Sequence, residues 1–128
     1  MGEKEIKKMG NRFENLDENH GITLLKFSYN GTEFKIRTTD HSFKRFKENG
    51  INVDIACGDV IALGKERLYN YAKTGGDVAI IDVENQMTTI ITFEGTGDNS
   101  QIRIRTIIPK SNVWIRKGTG IYNIGDKI

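Results

Sequence analysis

Two hydrophobic periods alternate along the chain, and each change of period marks an element. Ile6, Met9, Phe13 and Leu16 recur three or four apart, which predicts an amphipathic helix over 3–17, ended by Asn19 to Gly21. The stretches ITLLKFSY (22–29) and TEFKIRTT (32–39) read as strands joined by Asn30-Gly31. Asn-Gly suits a type I′ turn, in which both central residues need positive φ. In the second arm Phe34 and Ile36 fall on one side, Lys35 and Arg37 on the other.

Helical spacing returns at Asp40, the expected N-cap of a helix running to Asn49, with Gly50 as its left-handed stop. Asn52 is expected to cap a second helix that reaches Leu63 and closes at Gly64. The segment KERLYNYAK (65–73) fits a strand or a short helix, and Gly75-Gly76 ends it. DVAIIDV (77–83) is too apolar for an edge and predicts a central strand. In MTTIITFE (87–94), Met87, Thr89, Ile91 and Phe93 share a face. GTGDNS (95–100) is expected to be a hairpin loop, and QIRIRTII (101–108) a strand that Pro109 terminates. The tail, NVWIRKGTGIYNI, has strand-like composition with weak alternation. Helix and hairpin, two helices, then an antiparallel sheet is an α+β order. The expectation is a single domain over 1–128, with 1–20 as an N-terminal extension on an α+β core.

Composition narrows the function classes. With 37% hydrophobic and 28% charged residues, the chain belongs with folded globular domains. It has no apolar run of the ~18 residues that a membrane helix needs, so no membrane partner is expected. The start, MGEKEIKKMGNRFE, has no apolar stretch after its basic residues, and Ile6 stands where a myristoylation signal needs Ser or Thr. One cysteine, Cys57, allows no internal disulfide, and its apolar neighbours favour packing over nucleophilic chemistry. No close Cys and His pairs offer a zinc site, and the carboxylates are scattered, so no metal or cofactor is expected. The net charge of +2 decides nothing, but its distribution is uneven: six of the 19 basic residues lie from Gln101 onward, against one of the 17 acids. Such a segment suits an anionic partner such as phosphate or nucleic acid, or else is a solvated cluster.

Two constellations could carry chemistry. His41 and Arg45 are four apart and share a helix face, while Phe43 and Phe46 point to a core. The positive end of a helix and a nearby guanidinium both favour neutral imidazole, the form that serves as a general base; the alternative is an ordinary first-turn residue. Arg103 and Arg105, alternate residues of one strand, would share a sheet face ~6–7 Å apart with no intervening acid. That pair invites a phosphodiester or else guards an edge against aggregation. Thr106 falls on the opposite side unless a bulge intervenes. Lys65, Arg67, Tyr69 and Tyr71 mix basic and aromatic groups as RNA-contacting surfaces do, and as half-buried tyrosines do. GTGDNS lacks the lysine and spacing of a P-loop.

The phrase DHSFKRFKENGINVDI resembles the His-x-x-x-Arg-x-x-x-x-Gly-Ile pattern of small RelE-like and BrnT-like toxin domains. These belong to the barnase/EndoU/colicin/RelE-like ribonucleases, and the similarity covers residues 38–110. The resemblance implies two helices before an antiparallel sheet. It also implies metal-independent RNA cleavage, in which the 2′-hydroxyl attacks the adjacent phosphate and leaves a cyclic phosphate. His41 would be base or acid, Arg45, Arg103 and Arg105 phosphate clamps, and Thr106 and Lys110 further candidates. It implies a tRNA or mRNA substrate, a cognate antitoxin or immunity protein, and action in the cytoplasm of its own cell or of a target cell. Asn49 stands where the family commonly has a second Arg, and 1–20 and the tail beyond Pro109 have no counterpart. The mildly acidic body points to free RNA or tRNA ahead of ribosome-bound message. The competing reading is a non-catalytic protein- or RNA-binding module of a toxin–antitoxin, immunity or mobile-element system. Catalysis requires His41 and Arg103 or Arg105 to face one cleft.

Overall fold

Local chemistry sets the first turns. Asn30 and Gly31 take φ of 54° and 79°, the left-handed pair that folds β1 (Gly21–Tyr29) back on β2 (Thr32–Thr39). The computed structural model describes residues 21–96 and 99–125. His20 and the helix expected over 3–17 lie outside them. After β2 come α1 (Asp40–Glu48), α2 (Val53–Ala62) and α3 (Lys65–Thr74), then β3 (Gly76–Asp82), β4 (Met87–Thr96), β5 (Asn99–Ile108) and β6 (Gly120–Ile124). The fold is α+β.

The expected cap is displaced by one residue. Thr39, not Asp40, is the N-cap of α1, its hydroxyl accepting from the Ser42 amide at 3.0 Å. Asp40 therefore enters the first turn, where a carboxylate suits the helix dipole. Gly50, at φ 72°, follows the Asn49 C-cap. Asn52 caps α2 through the Asp54 amide at 2.9 Å. The ambiguous segment is helical: Leu68 of α3 is fully buried, so one apolar residue per turn is enough to hold it to the sheet.

The sheet corrects the antiparallel expectation. Its order is β1-β2-β5-β4-β3-β6, and two of its pairings, β2 with β5 and β3 with β6, are parallel. Three helices intervene between β2 and β3, so the later strands are free to enter in a different order. The GTGDNS stretch is largely strand as well: Gly95 pairs with Ser100 and Thr96 with Asn99, leaving only 97 and 98, which lie outside the described residues. The tail contributes β6 beside β3.

All three helices cover one face. Phe46 of α1, Val53, Ala56 and Val60 of α2 and Leu68 of α3 join one cluster with Phe34, Ile36, Val78, Ile80, Ile91, Ile102 and Ile104 of the sheet. The opposite face carries Arg37, Asp77, Thr92, Glu94 and Arg103, and is crossed by the segment 109–119. Cys57 is half-buried, and burial with the nearby Asp54 carboxylate pushes its thiol up to about 11, away from nucleophilic use at neutral pH.

One buried polar pair ties α2 to the sheet. Asp59 of α2 and Asp82 of β3 are both almost inaccessible, and the Asp82 carboxylate acts directly on the Asp59 carboxyl. Burial opposes the charge on Asp82, but the Asn85 amide and side chain donate to it at 3.0 and 2.8 Å and, with its other hydrogen bonds, hold it below its ordinary range. Burial, then the contact with Asp82, raises Asp59 from 3.8 to about 7. A carboxyl that binds its proton more tightly when folded loses stability as pH rises from its unfolded pKa to its folded one. Asp82 acts in the opposite sense and only at lower pH. The melting temperature should therefore fall by several degrees between about pH 5 and about pH 8. Asp59→Asn, which presents a permanent donor to Asp82, should flatten that profile in a thermal-melt series; an unchanged slope would mean that the proton is not held there.

Candidate functional site

The site is built where the parallel pair β2 and β5 ends. The ladder runs from Glu33 opposite Asn99 to Arg37 opposite Arg103. One step further, the buried Thr38 hydroxyl donates to the Ile104 carbonyl at 3.0 Å. A side chain thus takes over from the backbone ladder just before β5 changes register.

That change is a β-bulge. Ile91 pairs with Ile104 and Ile90 with Thr106, so Arg105 is an extra residue on β5. Burial along the strand records the slip, stepping from Ile102 and Ile104 to Ile107. Thr106 consequently turns outward with Arg103 and Arg105 instead of into the core, the condition under which it could join them.

The chain continues from β2 directly into α1, which starts at the carboxyl end of β2 and beside that of the parallel β5. The N-terminus of α1 and the bulge therefore meet. His41, Ser42, Arg45 and Asn49 of α1 face Arg105 and Thr106 across a cleft of about 150 Å³. Phe46 and Phe43 anchor the helix beneath it. His41 and Arg45 are exposed and, among the described residues, have no ion-pair partner. Three positively charged or protonatable side chains and two hydroxyls, Ser42 and Thr106, thus converge near a helix N-terminus, an arrangement suited to an oxyanion.

The arginines are not the uncompensated pair that alternation suggests. Arg105 meets Asp77 at 3.1 Å, and Asp77 also accepts from the Thr92 hydroxyl at 2.8 Å. Arg103 meets Glu94 at 2.7 Å. Arg103 lines a separate cleft of about 210 Å³ with Arg37, Gln101 and Glu94, and His41 is not among its walls. Of the predicted set, the fold brings together His41, Arg45, Arg105 and Thr106, and leaves Arg103 apart. Lys110 is exposed beyond β5 and lines none of these clefts; its carbonyl accepts from Thr88 at 2.8 Å.

Lys65, Arg67, Tyr69 and Tyr71 sit on α3, over the helix-covered face. Tyr71 stacks on Phe93 at 5.6 Å and Tyr69 meets Tyr29 edge-on at 5.8 Å. Arg67 lies 4.9 Å over the Tyr122 ring and donates to the Leu63 carbonyl. These contacts fasten α3 to β1, β4 and β6, and they occupy most of the faces a nucleobase would use.

A further cleft, of about 320 Å³, adjoins the first and shares Arg105 and Thr106 with it. Its other walls are Ile90 and Ile108 of the sheet and Trp114 and Arg116 of the crossing segment. Sequence reasoning passed over Trp114, although a lone tryptophan in a basic stretch without strand alternation is itself a signal. It also passed over Asp77 and Glu94, since only strand register shows which acid meets which arginine. Among the described residues, no three His, Cys, Asp or Glu side chains gather as a metal site, and no helix is long and apolar enough to cross a membrane.

Thr38→Val keeps the side-chain shape but strands the Ile104 carbonyl, and should cost about 1–3 kcal/mol in urea unfolding. Amide exchange around Arg105 should accelerate more than in α2. Equal protection in both places would show that the bulge does not depend on this bond.

Set beside known families, curated proteins and solved structures, the chain finds no match in any of the three.

Proposed function

We propose that the cleft between α1 and the end of β5 takes a phosphodiester of RNA, and that the chain is a small endoribonuclease cleaving by 2′-hydroxyl attack. The observation that carries this reading is the convergence of His41, Arg45, Arg105 and Thr106 on one cleft from two distant parts of the chain. Each has a role that its chemistry suits. His41 accepts the 2′-hydroxyl proton on a ring nitrogen as the 2′ oxygen bonds to phosphorus. Arg45 and Arg105 offer planar forks to the non-bridging oxygens, where charge builds in the phosphorane. Thr106 adds a hydroxyl donor, and the amide end of α1 adds to the positive field. The P–O5′ bond then breaks, the 5′ oxygen gaining its proton from water at this open cleft.

The RelE-like and BrnT-like resemblance supports the same reading, because His41 and Arg45 are two of its pattern residues and β5 is its basic strand. A toxin of this kind would act on free RNA or tRNA in a cytoplasm and would need an inhibitor covering the cleft. The binding-module reading keeps one observation in its favour. Arg105 is already engaged by Asp77, so RNA must compete for it.

Total RNA incubated with the protein in EDTA should yield discrete fragments ending in cyclic phosphate. His41→Ala and Arg105→Ala should each reduce the rate by about a hundredfold or more. Arg103→Ala, in the neighbouring cleft, should stay within a few-fold of the parent. Intact RNA with all four proteins, each binding RNA equally, would replace the enzyme with the binding module.

A further inference from the structure

The cleft beside the proposed phosphate site has the make-up of a separate subsite. Trp114 is 83% exposed, the most exposed of the large apolar side chains among the described residues. Water around an indole of that size is a standing cost that most folds avoid. It is carried by the segment 109–119, which crosses the open face of the sheet and closes one side of the cleft. The floor is Ile90 and Ile108, and the rim is Arg105 and Arg116. A volume of about 320 Å³ lies at the small end of the range of roughly 300–1,000 Å³ for ligand sites.

Charge favours one occupant over another. Between Gln101 and Gly125 the sequence holds five basic residues and no acid. An apolar slot with an exposed indole, rimmed by guanidiniums, matches a flat aromatic group flanked by phosphates. Aromatic platforms bind single-stranded nucleic acid in this way, since every base has a π-face. Arg105 and Thr106 line both clefts, so a group seated here is joined without a break to the group beside His41.

We propose that this cleft is a nucleobase subsite, in which Trp114 stacks on a base next to the phosphate bound at His41 and Arg105, while Arg116 holds the following phosphate. The proposal rests on the RNA reading above and specifies its substrate as single-stranded, because a paired base cannot enter the slot. Asp77 lines the same cleft but is engaged by Thr92 and Arg105, so stacking, not edge recognition, provides the contact.

Trp114 is the only tryptophan in the chain, so indole emission reports this position alone. The full chain would be titrated with a 2′-deoxy oligonucleotide of about eight nucleotides, which binds but lacks the attacking hydroxyl, and with an abasic strand of the same length. The base-bearing strand should quench emission saturably, and the abasic strand should bind with little quenching. Trp114→Ala should weaken binding of the base-bearing strand by about tenfold in anisotropy, and Trp114→Phe should restore most of it. Arg116→Gln should weaken both strands alike. Unchanged emission at saturation, with RNA still cleaved, overturns the subsite alone and leaves the indole as a contact for a protein partner. Quenching without RNA cleavage supports the subsite and removes the enzyme reading. Absence of binding by either strand overturns both.

Discussion

Parallel pairing of β2 with β5 is the constraint on which the cleft depends. Both strands point the same way, so the helix that leaves β2 must begin beside the end of β5. Parallel neighbours cannot be joined by a tight turn, and here three helices and two other strands separate them along the chain. That separation lets residues 41 and 45 meet residues 105 and 106. An antiparallel β5 would bring its amino end to α1 and carry Arg105 to the opposite end of the strand.

Within that frame, a single extra residue determines which side chains are presented. Without the slip at Arg105, strict alternation would drive Thr106 into the core and take Ile107 out of it. The bulge puts Arg105 and Thr106 outward together while Ile107 stays buried at 4% exposure. Thr38 helps to hold this arrangement by substituting a hydroxyl for the missing ladder bond. Bulges next to candidate sites are expected where a strand must re-aim its side chains. Core packing and site geometry are therefore one problem in β5, since moving either set of residues moves the other.

The open face follows a similar logic. Asp77 and Glu94 stand against the arginines and neutralise cations that would otherwise repel, and the Thr92 hydroxyl holds Asp77 in place. Exposed pairs of this kind contribute little to stability, so their effect is chiefly on geometry and on competition with incoming anions. Arg103 is tied into its own cleft by such a pair, and Arg105 is held where it can serve two neighbouring clefts. The segment 109–119 adds an aromatic wall beside Ile90 and Ile108 on a face that otherwise carries paired charges.

What the sequence by itself determined is local. The Asn52 cap, the left-handed Gly50, the inward Phe46 and the buried alternation of β4 follow from backbone preference and period, which act over a few residues. Even the shift of the α1 cap from Asp40 to Thr39 is a one-residue adjustment between two good capping groups. The pairing of His41 with Arg45 was legible for the same reason, since four residues is one turn of helix. The tertiary structure alone decided the strand order, the two parallel pairings, the β6 tail and the helical state of α3, because each rests on contacts between residues far apart in the chain. It likewise separated Arg103 from His41, assigned Glu94 to Arg103 and Asp77 to Arg105, and left Trp114 in the open. No spacing rule reaches across the 28 positions between Asp77 and Arg105, or reveals a bulge before its partner strand is known.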